Sequence, residues 1–190
     1  KNINTIVIVT RHDAHANQVV KALNAGKNVF VEKPIALKLE ELDLIDSIYH
    51  DVQSTESLRL MVGFNRRFAP HIVKMKELLN AHRSPKTIIM TVNAGSIPAE
   101  HWVQDLNVGG GRIIGEACHF IDLMRFLIGF PITEHQSMMM GGAPGIEVRN
   151  DKITINLSFA DGSFGAIHYL ANGGAAFPKE RVEVFCDDAV

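Results

Sequence analysis

The chain opens on a short β-branched run, Ile6-Val7-Ile8-Val9, the pattern of a central parallel strand buried on both faces. Asp13 follows as a candidate helix N-cap, and the helix it starts runs to about Ala25, where Gly26 stops it. Asn28 to Val31 gives a second apolar strand, closed by a turn at Pro34. From Leu39 to Tyr49 the spacing of Leu42, Leu44, Ile45 and Ile48 predicts a helix with one buried face, and Leu58 to Val62 reads as a third strand. Strand, helix, strand, helix, strand with short connections implies a right-handed, mostly parallel arrangement, as in half of a doubly wound nucleotide fold.

After Gly63 the texture changes. A helix from about Pro70 to Ala81 and a strand from Thr87 to Asn93 lead into a polar loop that runs to Gly111. A strongly periodic helix comes next, with Ile113, Ala117, Phe120, Ile121, Met124 and Ile128 on one side. From Thr133 onward the chain alternates as strands do, through Ile153-Thr154-Ile155-Asn156-Leu157, the turn at Asp161-Gly162, and Phe164-Gly165-Ala166-Ile167-His168. The expected fold class is α/β: the C-terminal half of a Rossmann-like parallel sheet over residues 1–63, then an α+β domain with a mostly antiparallel open sheet over residues 64–190. With no initiating methionine and an apparently buried strand already at Thr5 to Val9, the chain reads as a cut fragment, and its last residues, Asp187-Asp188-Ala189-Val190, also read as cut short.

Composition narrows the function classes. A formal charge of −2, spread over both signs without long runs, gives no electrostatic footprint for nucleic acid or an anionic membrane. The longest apolar runs are far shorter than a membrane span, and Lys1-Asn2-Ile3-Asn4 lacks the charged-then-apolar pattern of a secretory signal, so a cytoplasmic setting is expected. Cys118 and Cys186 sit in different predicted elements with no cysteine neighbours. They support neither a disulfide framework nor a four-cysteine zinc site, and are read as packing residues.

Candidate chemistry begins at the strand ends, where open α/β sheets bind ligands. Thr10-Arg11-His12 follows the first strand and Glu32-Lys33-Pro34 the second. On spacing alone, Glu32 and Lys33 also fit a solvated ion pair. His119 falls on the polar side of the periodic helix, away from Phe120 and Met124, where a surface histidine is the plain reading. Glu116, His119 and Asp122 share a three-residue spacing that metal ligands can use, but no second cluster supplies the remaining ligands, and no metal site is assigned. The triplet Gly109-Gly110-Gly111 has no parallel strand before it and reads as a turn rather than a phosphate cradle.

The stretch VIVTRHDAHANQVVKALNAGKNVFVEKPIAL resembles the Gfo/Idh/MocA oxidoreductases, a family that includes glucose-fructose oxidoreductase and inositol dehydrogenase. Its Thr-x-His-x-x-His turn, Ala-Gly-Lys helix end and Glu-Lys-Pro after the next strand stand in order at Thr10, His12, His15, Ala25-Gly26-Lys27 and Glu32-Lys33-Pro34. The likeness continues through Gly63-Phe64-Asn65-Arg66-Arg67-Phe68 and GGGRIIGEACHFIDLMRFLIG, and so spans essentially the whole chain. It implies an NAD(P)-binding Rossmann domain, of which residues 1–63 would be the second half, lacking the Gly-x-Gly-x-x-Gly pyrophosphate loop. Residues 64–190 would bind substrate and pair with other subunits. The flavour of GGGRIIGEACHFIDL points to members of surface-polysaccharide biosynthesis, including the C-terminal part of bi-domain oxidoreductases.

What the resemblance implies chemically is hydride exchange between NAD or NADP and a hydroxyl or ketone carbon of a sugar or nucleotide sugar, in the full-length protein rather than the fragment alone. It puts Lys33 beside the reacting hydroxyl, where an ammonium can stabilise an alkoxide-like oxygen. Glu32 would meet the nicotinamide ribose, Pro34 would fix the turn, and Thr10 and His12 would lie along the cofactor, whereas His15 is as readily a structural hydrogen-bonding residue. His119 becomes the second proton-transfer group, since an imidazole of ordinary pKa, about 6.5, suits a general base near neutral pH. The family has an aspartate four residues before that histidine and a glycine two before it; this chain has Gly115 and Ala117, and Glu116 is taken to replace the carboxylate. Asn65 and Arg66 would touch cofactor or sugar or else serve interdomain packing, and Trp102 would stack on the sugar or else act as a hydrophobic anchor. A homo-oligomer through the open sheet is expected. The alternative is a non-catalytic sugar-binding or oligomerisation module.

Overall fold

A computed structural model describes residues 3–55, 57–142, 144 and 151–190; Lys1 and Asn2, which enter the reading of the chain start, lie outside them. The chain forms two compact units, residues 1–64 with 100–118 and residues 65–99 with 119–190.

In the first unit, strands β1 (Thr5–Ile8), β2 (Asn28–Val31) and β3 (Leu60–Val62) form a parallel sheet in that order, with Ile6 opposite Val29 and Val29 opposite Leu60. Helices α1 (His15–Asn24) and α2 (Leu39–Thr55) are the crossovers. Their apolar faces meet the sheet through Val19, Leu23 and Ile45, packed with Ile8, Val29 and Val31. The spacing of Ile45, Ile48, Tyr49 and Val52 is what buries α2. Leu42 and Leu44, expected on that face, are exposed, because Leu44 lies off the stripe and Leu42 at its outer end. Glu41 accepts the amides of Leu37 and Lys38, half of a capping box at the start of α2. Asp13 does not cap α1; it lies in a 3-10 turn, His12–Ala14, and its amide instead donates to the Val108 carbonyl.

The expectation of a C-terminal half of a Rossmann-like sheet is corrected by this arrangement. The described residues form a Rossmann-like parallel sheet with its own crossover helices and core, followed by the α+β unit. The difference lies in β1, whose β-branched run predicts two-sided burial in a central strand. Among the described residues the strand stands at the sheet edge with only Ile8 of its residues buried, and Val7 and Val9 are 63% and 67% exposed. Strand propensity accounts for that composition without two-sided burial.

The second unit holds α3 (Pro70–Leu79), β4 (Thr87–Asn93), most of α4 (Cys118–Ile128), and β5 (Ile132–Met139), β6 (Ile153–Phe159), β7 (Phe164–Leu170) and β8 (Glu180–Phe185). The sheet order is β5-β6-β7-β4-β8, and every pairing is antiparallel except β4 with β7. Alternation delivers Ile88, Met90, Ile155, Leu157, Ile167 and Tyr169 to one face, where they are buried. Helix α4 reaches that face through Phe120, whose ring centroid is 6.4 Å from that of Tyr169, and through Met124, which occupies the space a side chain at Gly165 would need. Strand β5 is an edge strand and almost entirely exposed. Cys186 is buried and Cys118 half-buried, both as free thiols. Among the described residues no helix is long and apolar enough to cross a membrane.

Candidate active site

Each unit carries part of the chemistry-bearing set. In the first, Lys33 leaves the carboxyl end of β2, and its bond to Pro34 is cis. The Lys33 Nζ donates to the Gly115 carbonyl at 2.8 Å and to Glu116 Oε1 at 3.1 Å. The lysine side chain is 12% exposed and the glutamate 37%, so water still screens the pair and its main effect is to orient the ammonium. Both acceptors lie in a turn of π-helix, Ile113–Ala117, which runs directly into α4. The wider turn was not expected: the periodic pattern predicted one continuous α-helix. Such turns are found mostly inside α-helices, frequently at functional sites.

Beside Lys33, His12 is buried, with Nδ1 2.7 Å from the Gly109 carbonyl. Burial holds its pKa below the ordinary 6.5, an effect that the Gly109 hydrogen bond opposes and the charge of Lys33 reinforces. The neutral ring therefore donates from Nδ1 to Gly109. Trp102 meets His12 edge-on, centroids 4.8 Å apart, and carries the Arg11 guanidinium 5.7 Å above its ring. The glycine triplet is a tight turn, as its sequence context implied. Gly110 and Gly111 both have φ of +75°, and a Cβ on Gly109 would come within 2.6 Å of the carbonyl oxygens of Trp102 and Val103.

His15 is fully buried, with Nδ1 2.8 Å from the Pro34 carbonyl and Nε2 3.0 Å from the Thr10 carbonyl. It ties the segment after β1 to the turn after β2, the structural role its sequence left open. Thr10 is exposed, and its hydroxyl donates to the Arg11 carbonyl at 3.4 Å. Glu32 is half-buried with its carboxylate laid against Gly63, where a Cβ would meet it at 3.1 Å.

In the second unit, a 3-10 turn, Asn65–Phe68, presents an exposed Asn65 and two engaged arginines. Arg66 pairs with Glu180 at 2.7 Å and lies 4.6 Å over the Phe120 ring. Arg67 forks onto both oxygens of Asp122, with Nε 2.7 Å from Oδ2, and this partner raises its pKa further. His119, expected on an exposed polar side, is only 5% exposed. Helix α4 buries more than one stripe, because Leu123 and Leu127 continue the His119 side at four-residue steps while Phe120 and Met124 fill the other. Of the three residues whose spacing resembled a metal-ligand line, the two carboxylates are held by cations, Glu116 by Lys33 and Asp122 by Arg67. Residue types could not have revealed the two carbonyls, Gly115 and Gly109, that hold Lys33 and His12, and Arg11, a candidate by its place at the strand end, has no role assigned from sequence because nothing there brings it to Trp102.

A family model described as "Oxidoreductase family, NAD-binding Rossmann fold" matches residues 1–64, and one described as "GFO/IDH/MocA C-terminal domain" matches residues 73–190. The chain is 29% identical over 186 residues to inositol 2-dehydrogenase of Rhizobium meliloti, covering 96% of this chain and 54% of that protein. It is 34% identical over 134 residues to scyllo-inositol 2-dehydrogenase (NAD(+)) of Bacillus subtilis, covering 69% and 37%. Among solved structures, an oxidoreductase domain protein from Kribbella flavida superimposes with a TM-score of 0.84 at 21% identity, over 98% of this chain and 55% of that one. Levoglucosan dehydrogenase in complex with NADH gives 0.79 at 22% identity, over 97% and 52%. At such identities the superpositions establish the fold. The chain spans about half the length of the relatives it matches. The expected identity, a fragment without the first half of the Rossmann domain and the C-terminal part of a bi-domain oxidoreductase, is corrected to this extent: the NAD-binding Rossmann model matches residues 1–64 and the C-terminal domain model matches residues 73–190, so both domains of the family are represented in order. With both of its domain models matched in order, the chain belongs to the Gfo/Idh/MocA oxidoreductase family.

Proposed function

We propose that this protein is an NAD(P)-dependent oxidoreductase that exchanges hydride with a hydroxyl-bearing ring carbon of a sugar, nucleotide sugar or cyclitol. The observation that carries this reading is Lys33, its ammonium held by the Gly115 carbonyl and the Glu116 carboxylate at the carboxyl end of a parallel strand. Bound dinucleotide would supply the hydride acceptor or donor. The rim of the sheet fits it: Thr10 is exposed, and the Glu32 carboxylate lies close against Gly63, where a Cβ would crowd it at 3.1 Å. Residues 1–63 would hold the dinucleotide, and residues 64–190 the substrate.

In oxidation the carbon loses hydride and its hydroxyl loses a proton, which passes to Lys33 after the ammonium has released its own proton to solvent by way of the Glu116 carboxylate. Glu116 also orients the lysine, and His119 is the second proton-transfer residue, four positions after Gly115. Reduction runs the same transfers backward. Glu32 and Pro34 set the aim of Lys33, with Glu32 toward the ribose, while Thr10 and His12 line the cofactor. Asn65 and Arg66 reach cofactor or sugar, Arg66 from a position fixed by Glu180. Trp102 borders the sugar, braced by Arg11 and His12. The exposed edge strand β5, with Met138 and Met139, supports a homo-oligomer through the open sheet. A cytoplasmic setting belongs to the same reading.

The test is turnover of wild type and K33A with NAD and NADP, followed by the absorbance of reduced nicotinamide. Nucleotide sugars come first on the strength of the GGGRIIGEACHFIDL stretch, then inositols, which the relatives' names specify. Turnover reduced about 10²- to 10⁴-fold in K33A with unchanged dinucleotide binding is expected. Full activity in K33A, or none in wild type with any polyhydroxylated ring, overturns the reading.

A further inference from the structure

Outside the set just described, three unlike donor groups converge where α3 ends and β8 ends. His82 follows α3; Cys186 and Asp187 follow β8. One ligand atom from each, imidazole nitrogen, thiol sulfur and carboxylate oxygen, lies within 4.8 Å of the others, although His82 and Asp187 are 105 residues apart in the chain. His82 Nδ1 is already 2.7 Å from Asp187 Oδ2. Cys186 is buried, and its backbone exchanges two hydrogen bonds with Ala189, 3.1 and 3.0 Å, so the sulfur and the adjacent carboxylate spring from a closed hairpin turn. The Cys186 thiol faces the Ser84 carbonyl at 3.9 Å.

We infer that His82, Cys186 and Asp187 form a site for a divalent transition-metal ion of the zinc type. Sulfur with nitrogen and a single carboxylate is the donor set of borderline-soft ions, whereas calcium and magnesium require several oxygens. Ligand atoms around a tetrahedral zinc stand about 3.3–3.8 Å apart, which side-chain rotation reaches from the present separations. A thiolate and a carboxylate neutralise the ion. The neighbouring Lys86 ammonium is turned onto the carbonyls of His82 and Ser84 at 3.3 and 3.1 Å, and so does not occupy the donor atoms. Binding forms a sulfur–metal bond and breaks the S–H bond, the proton leaving to buffer with no change of oxidation state. Three protein ligands leave one position open beside an apolar groove of about 450 Å³ lined by Met75, Leu79, Val182 and Val184.

The experiment is cobalt(II) titration of the whole chain after chelator treatment, under reducing, oxygen-free conditions. A near-ultraviolet thiolate-to-cobalt band with visible bands of tetrahedral intensity is expected. Zinc should erase the bands, C186S should lack them and C118S should keep them; H82A and D187N should weaken binding by at least an order of magnitude while the fold, followed by circular dichroism, is retained. Absence of the charge-transfer band at saturating cobalt overturns the inference, as does a band that follows Cys118 or persists unchanged in both H82A and D187N.

Discussion

Lys33 and Glu116 stand 83 residues apart in the chain and 3.1 Å apart in space, with the Gly115 carbonyl completing the grip on the ammonium at 2.8 Å. E116Q keeps the shape and removes the charge. Turnover should fall about 10- to 100-fold, by analogy with other proton-transfer partners, with little change in melting temperature because the pair is partly exposed. Unchanged turnover would remove Glu116 from the catalytic set.

A second expectation concerns Gly115, the position where the family places an aspartate. A Cβ there would lie 3.1 Å from His12 Cε1 and 3.3 Å from the Gly109 carbonyl. G115A should therefore cost about 1–2 kcal/mol of stability through overpacking and loosen the His12–Gly109 hydrogen bond. Urea unfolding measures the first effect, and imidazole proton exchange the second. A variant as stable as wild type would show that the ring yields freely.

The depressed pKa of His12 has a definite pH consequence. In the window just below pH 6.5 the unfolded chain binds a proton that the native ring still refuses, so stability rises with pH there. The contribution is intact above about pH 6.5 and is lost as pH falls through the folded value. Melting temperatures recorded from about pH 7 to about pH 5 should decline less steeply in H12Q than in wild type. Parallel curves would refute the assignment.

Packing of α4 on its sheet is tested at Gly165. A Cβ there would meet Met124 Sδ at 2.6 Å and the Ile88 carbonyl at 2.7 Å, and backbone cannot step aside as a side chain can. G165A is expected to cost about 2–3 kcal/mol. G174A, with nothing within 4 Å of its Cβ, serves as the control and should stay within about 0.5 kcal/mol of wild type. Equal midpoints for the two would mean that the sheet and helix adjust more than their contacts imply.

Much of this was readable from residues alone. Period-two and period-3.6 patterns located β2, β4, β6, β7 and both crossover helices, and Glu32-Lys33-Pro34 was found because it follows an apolar strand. Failures occurred where a pattern had two physical causes. The β-branched run of β1 signals strand propensity as well as burial, and edge placement exposed Val7. The polar residue at 119 marks either a surface or a buried functional group, and α4 is covered on that side too. His82 and Cys186 carried no mutual spacing, because only the pairing of β8 with β4 sets where Cys186 ends up.

The π-turn at Ile113–Ala117 makes the length of this segment a stricter requirement than its composition. Each residue advances an α-helix by about 100°, so removing one between Gly111 and Gly115 would turn the Gly115 carbonyl and the Glu116 carboxylate away from the Lys33 ammonium they hold, even if every remaining side chain were kept. Gene variation there should run through exchanges of one residue for another, with single-codon deletions eliminated, whereas the exposed stretch before it, from Pro98 to Glu100, should accept both.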